Sequence, residues 1–478
     1  MINYILKMKS MNTHKLYFAL TMAAGLVLGS CSKSFVDKTP AGGLPTGQAL
    51  DTATLLQSDL NGLYAELRNV DQYGRDFPIL GDLMADNIWL QDRNSGRYVT
   101  QWEYNTPVAD PVVQGMWQES YNGILDANEI IDANVPGADA IKAQAYALRA
   151  LLYFKLVNIY AGPYLHDSTG LGVPLVLHYN VNSLPGRATV AQVYAQIVSD
   201  LQTAMQSAPA YQSSVFISYY AIEGLLARVY MYMGDYADAE TAAVDVIKGS
   251  PFTLVTAQAL TAFWANPGVQ TGGVEVMFEI DCDPVNNNGT DDLGAFYEHG
   301  YQDVYCTSDL AALYSATDTR GQLLIGGQTA GGVGAIVVNK FPNALNTDKD
   351  NLKVIRLAEV YLIAAECANR TNDDADAQVW LNTLMANRDP LFPGYGDTGP
   401  ALLSDIVTER RKELAFEGDR FYDLQRLGLA VNRVTQNGDD PTGDALQIPF
   451  GYFARLMPIP QQELLRNPTI AKQQNPGY

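Results

Sequence analysis

The chain contains 478 residues, 47% of them hydrophobic and 17% charged, which is the composition of a globular protein that buries one large core or two to three modest ones. Its formal net charge is −21, from 52 acidic and 31 basic residues. Nucleic acids and anionic lipid surfaces repel such a protein, so the charge argues against both as partners and favours neutral or cationic ligands. The 28 tyrosines provide aromatic faces of the kind on which sugar rings stack.

Residues 1–30 have the organisation of a lipoprotein signal peptide. Three lysines between positions 7 and 15 precede the apolar segment 16–28, which is too short to span a bilayer. The sequence Leu-Gly-Ser-Cys that ends at Cys31 has the pattern at which lipoproteins are cleaved and lipid-modified. We predict a lipidated Cys31 that anchors the mature protein, followed by a flexible tether over residues 31–47. An ordinary secretory signal is the alternative, and Met8 or Met11 is an alternative start.

Residues 48–478 are predicted to form a single mostly helical domain. Its first part covers about 48–260, a loop-rich region covers about 265–350, and the C-terminal part covers about 351–478. Leucines 56, 60, 63 and 67 recur at the spacing of one helix face, which Asp51 or Thr52 is placed to cap. Comparable patterns predict helices over about 117–134, 141–161 and 189–205. The Pro- and Gly-containing segment 172–176 predicts a crossover without regular structure.

Two stretches, residues 221–247 and 358–384, resemble each other. Each predicts a helix with small residues on its packing face, a short polar turn, and a second helix that begins with acidic residues and alanine. This pattern is typical of tetratricopeptide-like repeats, in which helical pairs stack because neither buries its apolar face alone. Generic antiparallel helical hairpins are the alternative. The helices at 141–161 and 189–205 are candidate members of the same stack.

The region between the two repeats has a different character. Val274, Val276, Phe278 and Ile280 alternate with polar residues and with Met277, which predicts a half-buried strand. Residues 336–341 predict a second strand. The acidic loop 281–292 lacks the ligand positions of an EF-hand, so a solvated loop is favoured over a calcium site. Cys282 and Cys306 are far enough apart in sequence to pair, although spacing alone gives no geometry.

Residues 406–428, IVTERRKELAFEGDRFYDLQRLG, combine an apolar stripe with dense alternating charge. The spacing predicts i,i+3 ion pairs between Glu417 and Arg420 and between Asp423 and Arg426, with a bend at Gly418. Charge pattern alone would favour a solvated surface helix. The segment ERRKELAFEGDRFYDLQRLG, however, closely resembles the C-terminal signature of the SusD/RagB family of outer-membrane nutrient-binding lipoproteins. Further segments that resemble the sequences of this family occur along the chain, namely GDLMADN at 81–87, YALRALLYFKLVNIYAGPY at 146–164 and LLARVYMYMGDY at 225–236.

The resemblance implies a tetratricopeptide-like scaffold whose variable loop region carries a ligand site. It also implies a non-enzymatic lipoprotein on the extracellular side of the outer membrane, seated over a SusC-like TonB-dependent transporter to which it delivers captured oligosaccharide or, in some members, peptide. The chain departs from the family pattern at Gln425 and Leu427, where a basic residue and a tryptophan are common. A glycoside hydrolase, which needs only two suitably spaced carboxylates, and a pure assembly scaffold are the other candidate classes.

The sequence contains no recognisable catalytic or metal-binding motif, because its four histidines are far apart and it has no nucleophile elbow or phosphate-binding loop. We therefore predict no cofactor. For the ligand we favour aromatic residues that flank polar loops, since a flat ring beside a few polar groups can orient a sugar. These candidates are Tyr73, Trp89, Trp102, Tyr104, Tyr297, Tyr301 and Tyr305. Their candidate hydrogen-bonding partners are Asp92, Asn94 and Gln302.

Overall fold

The architecture is described by a computed structural model that covers residues 50–436 and 446–478. The predicted signal peptide, Cys31 and the tether all lie outside the described residues. The helices, in chain order, are α1 (Ala53–Glu66), α2 (Asp76–Leu83), α3 (Val99–Trp102), α4 (Pro111–Asp132), α5 (Asp139–Tyr160), α6 (Tyr164–Asp167), α7 (Val190–Met205), α8 (Tyr219–Met233), α9 (Tyr236–Gly249), α10 (Leu260–Trp264), α11 (Leu293–Tyr297), α12 (Ser308–Ala311), α13 (Leu357–Arg370), α14 (Asp374–Ala386), α15 (Gly399–Glu413), α16 (Arg420–Arg426) and α17 (Gln461–Arg466). The strands are β1 (Ile88–Leu90), β2 (Leu171–Pro174), β3 (Arg187–Thr189), β4 (Val276–Ile280), β5 (Val304–Cys306), β6 (Leu324–Gln328), β7 (Gly334–Val338), β8 (Leu352–Arg356), β9 (Val431–Asn432) and β10 (Gln447–Ile448).

The long helices begin where the sequence provides caps. Thr52 accepts a hydrogen bond from the backbone N–H of Leu55 at 3.3 Å and so begins α1, whose leucines are buried as predicted. Asp110 accepts from the first backbone N–H groups of α4, which has proline at its N-terminus. Thr189 and Gln192 form a reciprocal capping box at the start of α7. The predicted helices near 117–134, 141–161 and 189–205 are thereby confirmed, with bounds shifted by a few residues.

The two predicted hairpins are present and pack together. Gly234, in the left-handed conformation at φ 79°, ends α8 and allows the reversal into α9. Helix α9 packs on α13, and α13 packs in turn on α14 and α15. Alanines on the packing face, among them Ala358, Ala365 and Ala368, are fully buried in this core, which allows close approach of the helix axes. Helices α4, α5 and α7 continue the stack to α8, as the sequence predicted.

The loop-rich region contributes three strands to a four-stranded antiparallel sheet with the order β1-β5-β7-β6. Its edge strand β1 comes from the first part of the chain, and Trp89 of β1 lies opposite Tyr305 of β5. Main-chain pairing between β1 and β5 therefore joins the loop-rich region to the first part of the domain.

Two expectations about this part of the chain were wrong, and the pairing of Cys282 with Cys306, which the sequence left open, is not formed. Strand β4 pairs with β8, and all five of its residues are buried, because Met277 on its second face packs against α8. The segment 171–174 is a strand, β2, because its backbone pairs with β3. Cys282 and Cys306 are buried free thiols.

The acidic loop forms a turn, in which Asp283 accepts hydrogen bonds from the backbone N–H groups of Val285 and Asn286. Within residues 50–436 and 446–478, no group of three or more metal-ligating side chains comes together. No helix in the same ranges is long and apolar enough to cross a membrane.

The signature segment 406–428 lies in the interior. Helix α15 ends at Glu413, the chain turns with Gly418 at φ 85°, and α16 follows. The predicted pair between Asp423 and Arg426 is present at 2.8 Å. The predicted pair between Glu417 and Arg420 is not formed, because the bend points the two side chains at different partners. Glu417 pairs with Lys340 at 2.7 Å and with Arg356 at 2.6 Å, and Arg420 pairs with Asp86 at 2.7 Å.

Candidate ligand-binding site

A surface cavity of about 440 Å³ opens where three segments of the first part meet. Asp71 and Arg75 lie on the turn between α1 and α2, residues 96–101 form the end of a loop and the first residues of α3, and residues 110–112 form the N-terminus of α4. We call it the loop cavity. Its volume lies within the roughly 300–1,000 Å³ of typical small-ligand pockets.

Hydrogen bonds fix the loop that forms one wall of the loop cavity. Gln91 donates from its side chain to the carbonyl of Gln302 at 2.8 Å, and Ser95 donates its backbone N–H to Asp303 at 2.8 Å. Burial raises the pKa of the Asp303 carboxyl, although its bonds from Ser95 act in the opposite direction. Tyr98 and Gln302 both have left-handed backbone, at φ 59° and 47°. A left-handed backbone conformation costs of order 1–3 kcal/mol for each non-glycine residue that adopts it, and such residues cluster at functional sites.

A buried polar triad supports the floor. Arg75 donates from Nε to Asp76 at 3.0 Å and to the hydroxyl of Tyr98 at 2.5 Å, and that hydroxyl donates to the same carboxylate of Asp76. Burial raises the pKa of Asp76 to about 7, despite the opposing effects of Arg75 and Tyr98. Burial also raises the pKa of the Tyr98 phenol well above its usual value. The triad therefore holds the Arg75 guanidinium in one orientation.

A second, more exposed group lies at the mouth of the loop cavity. The guanidinium of Arg97 stacks 4.0 Å over the ring of Tyr301 and donates to its hydroxyl at 2.8 Å. The Tyr301 hydroxyl donates to Asp291 at 3.3 Å, and Arg75 pairs with Asp291 at 3.1 Å. The side chains of Arg97 and Asp291 are 37% and 44% exposed. This mouth cluster (Arg75, Arg97, Asp291 and Tyr301) thus offers guanidinium donors, carboxylate acceptors and aromatic surface.

Of the predicted binding aromatics, only Tyr301 is part of this cluster, and it is half-buried. The other predicted rings are at most 5% exposed, namely Tyr73, Trp89, Trp102, Tyr104, Tyr297 and Tyr305. Because a sugar stacks only on an accessible ring face, the expectation that these six rings would be accessible to a ligand was wrong. Of the predicted polar partners, Asp92 is exposed, whereas Asn94 and Gln302 serve mainly to shape the wall.

Packing within the protein explains why these rings are buried. Trp89 lies 5.3 Å from the ring of Tyr305 across the sheet and donates from its indole to the carbonyl of Cys306 at 3.3 Å. Trp102 is covered by the guanidinium of Arg433, 3.6 Å from the ring centroid. Flanking polar residues in the sequence therefore did not indicate exposed aromatic faces.

The sequence analysis missed Arg75, Arg97, Tyr98 and Asp291. The run Asn94-Ser95-Gly96 was the local signal, since these residue types favour turns, and Arg97 and Tyr98 follow it directly. No local pattern could reveal that Arg75 meets Asp291, because 216 positions separate them.

The fold and the cavity define a helical-repeat protein whose loops form a polar surface site. Two family models match the chain, one described as the SusD family over residues 333–478 and one described as starch-binding associating with outer membrane over residues 34–231. A SusD superfamily structure from Bacteroides thetaiotaomicron is 29% identical, with a TM-score of 0.82, and the match covers 89% of this chain and 100% of that one.

A structure of a putative sugar binding protein from Bacteroides vulgatus is likewise 29% identical, with a TM-score of 0.81 and coverage of 90% and 99%. SusD-like protein P2 of Formosa agariphila is 26% identical over 98% of this chain and 100% of that protein. The chain is therefore similar to SusD-like proteins in both its N-terminal and C-terminal parts and in its fold.

Proposed function

We propose that the protein captures neutral oligosaccharides in the loop cavity and delivers them to a SusC-like TonB-dependent transporter. The observation that carries this proposal is the mouth cluster, where the stacked pair of Arg97 and Tyr301 lies beside Asp291. Fixed guanidinium donors and a carboxylate acceptor match the hydroxyl groups of a sugar, and the half-buried ring of Tyr301 adds apolar surface beside them. The cluster carries two guanidinium groups and the carboxylate of Asp291, and Asp71 also lines the loop cavity, so the site favours no strongly charged ligand.

The comparisons support the same ligand class. One family model is described as starch-binding associating with outer membrane, and a relative of 29% identity is described as a putative sugar binding protein. We further propose that lipidated Cys31 anchors the protein on the extracellular face of the outer membrane, and that the protein binds without hydrolysing its ligand. Peptides in place of sugars are the second candidate ligand, because backbone amides also suit guanidinium and carboxylate groups.

Isothermal titration with a panel of neutral oligosaccharides tests the ligand class. We expect at least one sugar to bind, with an affinity that changes little between low and high salt, because C–H/π contacts and hydrogen bonds to neutral hydroxyls are only weakly screened. Arg97→Ala and Tyr301→Ala should each weaken binding by about tenfold or more, or about 1.4 kcal/mol. Tyr236→Ala is the matched control, because Tyr236 also packs under an arginine, Arg370, at 5.4 Å.

Two other outcomes would redirect the proposal. Tight binding of peptides with no binding of any sugar would favour the second ligand class. Shorter sugars that accumulate with time would show hydrolysis and contradict a purely binding role. Co-purification of a TonB-dependent transporter with the intact lipoprotein from outer membranes tests the partner. Failure to recover any such transporter under mild detergent would contradict it.

A further inference from the structure

A second cavity, of about 190 Å³, lies between α4, the segment that follows β2, and the C-terminal segment around α17. We call it the α4 cavity. The α4 face supplies Gln114, Trp117, Gln118 and Tyr121, whose spacing of three and four residues places them together on one side of a helix. Leu184, which is 48% exposed, lies on the opposite wall.

The aromatic part of this cavity is held rigidly. The ring of Trp117 packs edge-on against Tyr160, with centroids 4.9 Å apart, and lies 5.0 Å from the ring of Tyr121. The hydroxyl of Tyr121 donates to the carbonyl of Pro174 at 2.7 Å. These contacts fix both rings before any ligand arrives, which lowers the entropic cost of binding against them.

The polar groups around the rings have spare hydrogen-bonding capacity. Within the part of the chain that the structure describes, the side-chain amides of Gln114, Gln118 and Gln462 form no hydrogen bond to protein groups, although all three line the cavity. Glu463 and Arg466 also line it and carry opposite charges, so the lining has no net charge from these two. Trp117 is only 5% exposed, so it supports the half-buried ring of Tyr121 and does not itself offer a stacking face. The Tyr121 ring with amide groups around it suits an uncharged polyhydroxylated ligand, since each amide can donate to or accept from a hydroxyl group.

The α4 cavity adjoins the loop cavity. Pro111 lines the loop cavity and Gln118 lines the α4 cavity, seven residues later on the same helix, which corresponds to about 10 Å along the axis at 1.5 Å per residue. The backbone N–H of Gln461 donates to the carbonyl of Val108 at 3.0 Å, which ties the C-terminal wall of one cavity to the chain that leads into the other. A single extended ligand can therefore reach both.

We propose that the α4 cavity is a second saccharide subsite, which binds a further unit of the same neutral glycan chain whose other end occupies the loop cavity. This inference rests on the proposed function, because it assumes that the loop cavity binds sugar. The second contact is intramolecular once the first is made, so affinity should rise with chain length until both subsites are filled.

Titration of the full-length protein with a series of oligosaccharides of increasing length tests this. For the wild type we expect affinity to rise at least tenfold between the shortest chain that binds and the longer chains. Gln118→Trp, at an exposed helix position, should fill the α4 cavity and remove that gain while leaving the affinity for the shortest chain within twofold. Leu184→Ala is a second variant at an exposed position, and we expect it to reduce the gain. Gln202→Trp, on the exposed face of α7, is the matched control and should retain the full gain.

The outcomes separate the two proposals. A wild type whose affinity is independent of chain length, or a Gln118→Trp variant that binds long chains within twofold of the wild type, would overturn the second subsite while leaving the loop cavity as a sugar site. Absence of binding to every sugar would instead refute the proposed function, and the subsite with it. A length-dependent gain for peptides and not for sugars would show that the α4 cavity takes a peptide.

Discussion

Glu413, the last residue of α15, provides the sharpest test of what the signature segment does. Its carboxylate accepts from Arg388 at 2.9 and 3.0 Å, from Arg356 at 3.0 Å and from Arg320 at 3.3 Å, and all four side chains are buried. Burial alone would raise the pKa of this carboxyl, but the three guanidinium groups hold it well below its usual value. Glu413→Gln keeps the shape of the side chain, removes its charge and replaces one acceptor oxygen by an amide donor, so it removes both the ion pairing and half of the hydrogen bonding at this site.

We expect Glu413→Gln to lower the free energy of unfolding by about 3–5 kcal/mol, because it leaves buried cations without their shared anion. With about 2 cal/mol/K of unfolding entropy per residue over residues 52–478, this corresponds to a fall in the melting temperature of about 3–6 °C if unfolding is two-state. Differential scanning calorimetry at neutral pH measures it. Glu119→Gln is the matched control, because Glu119 lies on α4 and, within the residues that the structure describes, makes only a 3.4 Å hydrogen bond with Asn122.

The pH dependence gives an independent check. Because the folded-state pKa of Glu413 is depressed, its contribution to stability is complete above the unfolded value of about 4.3 and is lost as the pH falls through the folded value. The difference between wild type and variant should therefore be constant from neutral pH to about pH 5 and shrink below it. A variant whose melting temperature matches that of the Glu119→Gln control at neutral pH would refute the reasoning, since it would show that the ionised carboxylate contributes nothing net.

Three further predictions test other contacts. Gly81→Ala should strongly destabilise the fold, because a Cβ there would lie 1.9 Å from the carbonyl oxygen of Gly418. Gly62→Ala, which has open space around it in α1, is the control and should stabilise the protein by about 0.5–1 kcal/mol. Equal melting temperatures for the two variants would contradict the close approach of residue 81 to Gly418. Arg420→Ala leaves the buried carboxylate of Asp86 without its 2.7 Å partner and should lower the melting temperature, and an unchanged melting temperature with lost ligand binding would instead assign the signature to the site. Metabolic labelling with a palmitate analogue should label the wild type and not Cys31→Ala, and label retained on that variant would contradict lipidation at Cys31.

The helical scaffold was predictable because local patterns determine it. Leucine spacing and the cap at Thr52 predicted α1, and small residues around Gly234 predicted the hairpin of α8 and α9. These signals act over three to ten residues, which is the range in which propensity and amphipathicity are visible in a sequence.

The strands and the site were less predictable because they depend on distant partners. Residues 171–174 form a strand only because β3 lies beside them, and the burial of β4 depends on α8 and β8. The mouth cluster joins residues from three separate segments of the chain. Of its members only Tyr301 was predicted, from its position beside a polar loop. The other aromatic candidates shared that position but pack inside the protein, since loop flanks also supply rings to a core.

The signature segment links the helical scaffold to the candidate site. Its charges pair with residues far away in the chain, and several partners lie next to β1: Arg411 donates to the side chain of Asn87 at 2.9 Å and to the carbonyl of Asp86 at 2.7 Å, and Arg420 pairs with the Asp86 carboxylate. Strand β1 leads directly into the loop that forms the wall of the loop cavity. A solvated helix could not hold that strand, because exposed ion pairs contribute little, whereas buried pairs are costly to break and so restrict the geometry of both partners. The buried charges of the signature thus act on the candidate site by fixing the strand that supports its loop, without contributing a side chain to the loop cavity itself.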